Sequence, residues 1–143
     1  MTVDDILQAF PDQAPYPGPI TGCPPEIFDI AGDFGGKSWK EIDSAMCDKH
    51  DDAFNMLDPK PLCYFLPAFL AAALDKPHSM TADSLVYFVC RWKTFAKFAK
   101  LLDSRQISVV LGVVESIMNA DNGCFAEQTE VILKTRARYL GHT

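Results

Sequence analysis

Residues 62–74 form a run that is apolar almost all round, and this run constrains the fold more than any other stretch of the chain. A helix that is apolar on every side must be enclosed by other elements. The run is also too short to cross a bilayer, which takes about 20 residues. Pro67 lies inside it, so we expect either a kink there or a helix that begins near this proline. The pattern therefore predicts a buried central helix.

Three capping boxes mark the beginnings of further helices. The helices that they predict cover residues 2–10, 38–56 and 103–120, and the third has the clearest helical spacing of apolar residues. A turn at residues 121–123, Asp-Asn-Gly, is expected to end that third helix. Each box joins an N-cap residue to an acidic or amide residue three positions later: Thr2 to Asp5, Ser38 to Glu41, and Asp103 to Gln106.

Two other segments are also expected to be helical. Residues 83–90 are β-branched and aromatic, which suits a strand, but no partner strand is evident and we favour a helix. Residues 124–140 carry Glu130 and Lys134 as an i,i+4 pair, which suits a last helix. We therefore predict an all-α fold: a single domain over residues 1–143, built as an irregular bundle of five to seven helices.

The N-terminal part of the chain has a different character. Residues 11–25 hold six of the ten prolines, so they cannot form a helix or a central strand. We expect an extended arm along the surface, fastened by Tyr16. The apolar group at residues 27–30 would then form a single turn or a short strand. Further along, Trp39 and Trp92 are expected in the core, since each shares a face with apolar residues.

The charge of the chain argues against one class of function and suggests another. The net charge is −6, which argues against nucleic-acid binding because that binding rests on neutralising phosphates. Residues 1–90 hold 14 acidic and 5 basic side chains, whereas residues 91–143 hold 5 acidic and 8 basic. The two halves could attract each other within the fold. Alternatively, the acidic half could present its charge to a basic partner.

The five cysteines indicate a reducing compartment. Their count is odd and no C-x-x-C occurs, so neither a disulfide framework nor a zinc site is predicted. The N-terminus is acidic and no apolar segment follows it, which is unlike a signal peptide. No apolar run is long enough to span a membrane. We therefore expect a cytoplasmic protein.

Residues 31–38, A-G-D-F-G-G-K-S, fit the loose phosphate-loop pattern, in which backbone amides and a lysine hold a nucleotide. Such a loop needs a strand before it, a helix after it and a parallel sheet around it. Residues 27–30 could be the strand and Ser38 begins a helix, but no later strand ends in an aspartate for magnesium. We favour a glycine turn before a capped helix, with Lys37 in solvent.

No other pattern indicates a catalytic site, a metal site or a cofactor. Asp48 and Asp52 would share a helix face, with His50 and Asp51 close by, but these residues complete no metal-ligand motif. A nucleophilic site needs a buried histidine beside a nucleophile, and the three histidines accompany no such signature. We interpret the carboxylates as a solvated acidic face. Acid–base catalysis by two carboxylates stays an alternative, because such pairs leave little trace in a sequence.

Two elements resemble those of a family of uncharacterised bacterial proteins. They are F-G-G-K-S-W-K-E-I at residues 34–42 and Y-F-L-P-A-F-L-A-A-A-L at residues 64–74. The family pattern is F-x-G-x-x-W-x-[ED]-[IL], followed about thirty residues later by Y-[FY]-L-P-A-[FY]-L, and the resemblance extends over residues 14–120. The family is a domain of unknown function, so the resemblance implies no catalytic residues. Its pattern does not fix Lys37, which weighs against a phosphate loop.

Small acidic proteins of this kind are often encoded beside toxins as immunity proteins, and this association gives the leading hypothesis. We expect a protein that blocks a basic toxin or effector domain, because residues 29–58 hold 8 acidic and 3 basic side chains. The alternatives are an enzyme that binds nucleotides through residues 31–38 and a structural or regulatory module that forms homo-oligomers. The expected interface consists of seven carboxylates: Asp33, Glu41, Asp43, Asp48, Asp51, Asp52 and Asp58.

Overall fold

The computed structural model describes residues 1–120 and 123–141, and these ranges contain nine α-helices and two short 3₁₀-helices. They contain no strand, only an isolated antiparallel bridge between Gly22 and Leu57. The all-α prediction is confirmed, with more helices than the five to seven expected. The α-helices are α1 Val3–Ala9, α2 Glu26–Phe34, α3 Ser44–Lys49, α4 Ala53–Met56, α5 Pro59–Asp75, α6 Met80–Cys90, α7 Trp92–Ala99, α8 Ser104–Ala120 and α9 Thr129–Leu140. The predicted helix end at residues 121 and 122 lies outside the described ranges.

The apolar run of the sequence forms the centre of the fold, as predicted. It lies in α5, which begins before the run because Pro59 and Pro61 occupy the first turn, where a helix needs no N–H. Pro67 lies inside the same helix. Ten residues of α5 are buried, and the helix packs against α1, α3, α6, α7 and α8. Five of the other α-helices thus surround α5.

Phenylalanine rings connect α5 to the helices on both sides of it. The Phe34 ring centre lies 4.9 Å from that of Phe65, and the Phe54 ring centre lies 5.0 Å from those of Phe69 and Phe88. All five side chains are fully buried. Aromatic pairs at these distances stabilise a core beyond the burial of their area. Every α-helix contributes buried residues to this one connected core.

The proline-rich arm runs along the surface and is fastened to α5 by aromatic contacts, as predicted. The Tyr16 ring centre lies 5.3 Å from that of Tyr64 and 6.1 Å from that of Phe65. The Tyr64 hydroxyl donates a hydrogen bond to the backbone oxygen of Ala14. Trp39 is buried, as expected, and its indole N–H donates to the backbone oxygen of Asp12 over 2.8 Å. The arm therefore covers one side of the core.

The single helix predicted over residues 38–56 was wrong. The chain instead forms the 3₁₀-helix Trp39–Glu41, then α3, then α4. The break has a local cause: the Asp43 carboxylate accepts a hydrogen bond from the Met46 N–H over 2.9 Å, so Asp43 is the N-cap of a new helix. This segment therefore turns twice, and its carboxylates do not line one helix face.

The structure also tests the predictions for residues 27–30, residues 83–90 and Trp92. Residues 27–30 form neither a turn nor a strand but the first half of α2. Residues 83–90 are helical, as favoured, and lie in α6. Trp92 was expected in the core and is instead 51% exposed at the beginning of α7.

Among the helices in the described ranges, none is both long and apolar enough to span a membrane.

Candidate functional site

Half of the eight acidic residues at 29–58 lie in two neighbouring stretches, α2 and residues 50–57, which run antiparallel. At the beginning of α2, the Cys23 N–H donates to the backbone oxygen of Met56 over 2.8 Å. At its end, Asp33 meets His50 with 2.6 Å between the carboxylate Oδ2 and the imidazole Nε2. Helix α2 also packs against α4. Asp33 and Asp52 therefore belong to one region of the molecule.

Asp33 is the best-connected carboxylate of the predicted interface. Its Oδ2 accepts from the Lys49 ammonium over 2.8 Å and also meets the His50 Nε2. These hydrogen bonds, from Lys49 and then His50, lower the pKa of Asp33 from 3.8 to about 2. The His50 ring is buried and stands edge-on to Phe34, with 5.5 Å between the ring centres. The cluster of Asp33, Lys49 and His50 thus fixes the end of α2 against α3.

Asp48 and Asp51 are directed to the opposite side, towards α6. One oxygen of Asp48 accepts from the Thr81 backbone N–H over 3.1 Å and from the Thr81 hydroxyl over 2.5 Å. Asp51 accepts from the Ser84 hydroxyl over 3.0 Å. Carboxylates used in this way hold the turn between α3 and α4 on α6, so their charge is partly satisfied within the chain.

Within the described residues, the other four carboxylates of the predicted interface bond neither to Lys49 and His50 nor to α6. Asp43 is the N-cap of α3. In the described part of the chain, no side-chain hydrogen bond or ion pair is formed by Glu41, Asp52 or Asp58, and Asp52 alone of these three is half-buried. The structure therefore brings Asp33 and Asp52 into the region of α2 and α4. Asp48 and Asp51 are directed towards α6, and Asp58 lies beside the proline-rich arm at the beginning of α5.

The sequence prediction missed the exposed side of α2. Ile27, Ile30 and Phe34 form its buried stripe, whereas Phe28 is 71% exposed, the most exposed large apolar side chain in the described ranges. The spacing of the buried stripe is the signal that could have placed Phe28 outside, because position 28 falls on the opposite side of a helix. We define the α2 surface by Glu26, Phe28, Asp29, Gly32 and Asp33.

The α2 surface carries one exposed phenyl ring, and its carboxylates lie at other positions around the helix. Glu26 and Asp29 are exposed on either side of Phe28 in the sequence, and Gly32 lies one turn after it with open space where a side chain would be. The Phe28 ring is therefore accessible from the side of Gly32. An accessible phenyl ring with neighbouring carboxylates can contact a partner that is both apolar and basic.

The phosphate-loop pattern has the wrong geometry for phosphate. Residues 31–34 are the last turn of α2, so a helix and not a strand precedes the glycines. The Gly35 N–H donates to the Ala31 oxygen over 2.8 Å, and the Lys37 N–H donates to the Phe34 oxygen over 3.2 Å. These amides are used within the chain and cannot cradle an anion. The segment is a helix end and a glycine turn, in which Gly36 has a φ of +74°.

Among the described residues, the Asp33–His50 pair is the arrangement closest to catalytic machinery, but no thiol or hydroxyl is hydrogen-bonded to it. The nearest thiol in the sequence, Cys47, is fully buried, and burial raises its pKa to about 12. A thiol with this pKa is not a nucleophile at neutral pH. Within the described residues, no group of three or more His, Cys, Asp or Glu side chains could hold a metal ion. The pair is therefore best explained as a structural contact.

The Asp33 contacts predict a particular dependence of stability on pH. The pKa of Asp33 is lowered in the folded protein, so its contribution is present above about pH 4 and is lost as the pH falls towards 2. Urea midpoints at several pH values should show Asp33→Asn less stable than wild type at pH 7, with the gap closing at pH 2. Lys49→Gln removes one of the two donors and should give a smaller gap. A gap that is equal at both pH values would contradict this role.

Comparisons with protein-family models, with curated proteins and with solved structures found no match to this chain.

Proposed function

We propose that this chain is a protein-binding protein of the immunity type, which neutralises a basic toxin or effector domain by covering its active site with the α2 surface. The observation that carries the proposal is Phe28, a phenyl ring 71% exposed on a helix whose other face is fully packed. Aromatic side chains are enriched at the cores of protein–protein interfaces, and a ring at this exposed position is free to contact a partner.

Charge and apolar contact would have different parts in such a complex. Residues 29–58 carry a net charge of −5, from 8 acidic and 3 basic side chains, and this charge would speed the approach of a basic cleft. Once the surfaces meet, Phe28 would enter a pocket of the partner and slow dissociation, as buried aromatic side chains do at the centres of interfaces. Glu26 and Asp29 would lie at its rim.

The cluster of Asp33, Lys49 and His50 supports the proposal through rigidity. It joins the end of α2 to the end of α3 and the turn after it, and the His50 ring packs against Phe34 in the core. A surface held in place before binding loses little conformational entropy when the partner arrives. The α2 surface would therefore act as a preformed binding surface.

The predicted interface of seven carboxylates becomes smaller under this proposal. Asp48 and Asp51 bond to Thr81 and Ser84, so substituting them would change stability and binding together. Asp29 is exposed on α2 and accepts no side-chain hydrogen bond within the described ranges, which makes it the better position for a test. We place the protein in the cytoplasm, where its five free thiols would stay reduced.

Reversing the charge of Asp29 tests the proposal through association kinetics. For Asp29→Lys, the association rate with the basic product of the neighbouring reading frame should fall about tenfold at low salt, because rim charges act mainly on the encounter. The rate should also depend less on salt than that of wild type. Stopped-flow fluorescence over a series of salt concentrations measures both quantities.

Glu127→Lys is the matched control, since Glu127 is also exposed but lies in the 3₁₀-helix Ala126–Gln128, in the basic half of the sequence. Its association rate should change far less than that of Asp29→Lys. Equal effects of the two substitutions would mean that only net charge matters, and the α2 surface would then lose its assigned role.

A further inference from the structure

A pocket of about 460 Å³ lies between α7 and α9, in the basic half of the chain. Its walls include three aromatic side chains, Trp92, Phe95 and Tyr139, and its rim carries Lys134 and Arg138. A volume of this size lies within the range of pockets that hold drug-sized ligands, so it can admit a phenyl ring together with its flanking groups. We call it the Trp92 pocket.

The Trp92 pocket is lined with groups that suit a ligand carrying both an aromatic ring and an acidic group. The Trp92 side chain is 51% exposed, and the Arg138 guanidinium lies 4.9 Å from the centre of its ring. The Lys93 ammonium lies 5.6 Å from the same ring centre. Residues 91–143 hold 8 basic and 5 acidic side chains, so this half of the sequence carries a net positive charge. Trp, Tyr and Arg are the residue types enriched in binding hot spots.

The same molecule carries a feature that complements this pocket, namely the exposed Phe28 ring with the Asp29 carboxylate on the next residue of α2. Phe28 does not line the pocket of its own chain, and helix α2 packs against α4, α4 against α6, and α6 against α9. Phe28 is 71% exposed, so the described residues of its own chain leave most of its side chain uncovered.

We propose that a second copy of this chain fills the Trp92 pocket, with Phe28 of one copy entering between Trp92 and Tyr139 of the next. Asp29 then lies beside the Arg138 guanidinium, whereas Lys134 keeps its ion pair with Glu130 of its own chain, with 3.2 Å between Nζ and Oε1. The contact is heterologous, because the two copies use different surfaces. Each copy keeps one unused surface, so association continues head to tail beyond the dimer.

The inference stands without the proposed function, but the two have a joint consequence. Both use the α2 surface, so a toxin bound there and a second copy bound there would exclude each other. Self-association would then store the protein in a form that the partner must dissociate.

Two single variants and their mixture test the contact. Phe28→Ala lacks the inserted ring and keeps the pocket, whereas Arg138→Glu keeps the ring and places a negative charge at the rim. Each variant alone should associate about 30-fold more weakly than wild type, the loss typical of a hot-spot residue. Both substitutions are at exposed positions, so far-UV circular dichroism should show wild-type folding. Sedimentation velocity from about 1 μM to about 1 mM covers the range of weak affinities.

The equimolar mixture gives the decisive readout. One intact ring and one intact pocket remain between the two variants, so the mixture should form a 1:1 dimer with the wild-type pairwise affinity and should not grow further. A wild-type protein that is monomeric over the whole range would overturn the inference, as would a mixture that behaves like its separate components. Arg138→Glu keeps the α2 surface, so its affinity for the toxin partner reports on the proposed function independently.

Discussion

Replacing Phe88 by alanine is expected to lower the free energy of unfolding by about 3–5 kcal/mol, a large share of the 5–15 kcal/mol typical of a domain. Phe88 is fully buried, and its ring stacks on Phe54 with 5.0 Å between the ring centres. It also contacts Phe98 at 4.8 Å and Phe95 at 5.6 Å. The substitution leaves a cavity among three rings that belong to two other helices, α4 and α7, which limits how far the core can close.

Urea unfolding followed by circular dichroism measures this loss as a lower midpoint with an unchanged slope. Phe28→Ala is the matched control, because it makes the same chemical change on a helix at a position that is 71% exposed. Its stability should stay within about 0.5 kcal/mol of wild type. A Phe88→Ala variant as stable as the control would show that the aromatic core described above is incorrect.

Among the single substitutions, the same Phe28→Ala variant is expected to have the largest effect on binding to the partner. Loss of the ring should weaken the complex with the neighbouring gene's product by about 2 kcal/mol or more, which is roughly 30-fold in Kd. Since the ring would act after the encounter, the change should appear mainly in the dissociation rate. Surface plasmon resonance at fixed salt separates the two rates.

Leu133→Ala provides the control for exposed apolar area. Leu133 is 61% exposed on α9, away from α2, so its removal should leave both rates within about twofold of wild type. If Leu133→Ala weakens the complex as much as Phe28→Ala does, the partner contacts a different face. A Phe28→Ala variant that binds like wild type would remove the ring from the interface altogether.

The fold class could be predicted because it depends on patterns that act locally. The apolar run at residues 62–74 needed burial on all sides, and α5 provides it at the centre of the fold. The capping box of Thr2 and Asp5 begins α1, with 2.8 Å between the Thr2 nitrogen and the Asp5 carboxylate. Each of these signals acts between residues that are close in the sequence, and at these two places the tertiary contacts agree with it.

Helix ends were harder to predict, because two local signals competed. Ser38 and Glu41 have the residue types of a capping box, yet they begin only one 3₁₀ turn. Asp43 then caps α3 with its own side chain. From the sequence alone, the first cap suggested a helix to residue 56. Whether the helix continues past Glu41 depends on Trp39. Its burial and its hydrogen bond to the Asp12 oxygen fix the chain before Asp43 begins the next helix.

The directions of the carboxylates could not be predicted at all. A sequence gives the number of charges in a segment, but a one-turn break in a helix changes which neighbour each charge meets. Asp33 meets Lys49 and His50, whereas Asp48 meets Thr81 from a helix thirty-three residues further along. The exposure of Trp92 could not be predicted for a similar reason, since it depends on which neighbours the fold places beside the side chain. Its helix does bury an apolar face, but its own side chain contacts the Arg138 guanidinium, 4.9 Å from the ring centre, and stays 51% exposed.

The most direct test of the account is a calorimetric titration of the neighbouring reading frame's product with wild type and with the double variant Phe28→Ala/Asp29→Lys. Both substitutions are exposed and leave the core contacts of α2 intact. We predict a 1:1 complex with wild type and at least a 100-fold loss of affinity in the double variant, or about 2.8 kcal/mol. Equal affinity of the two proteins, or no binding by wild type, would contradict the claim that the α2 surface binds this partner.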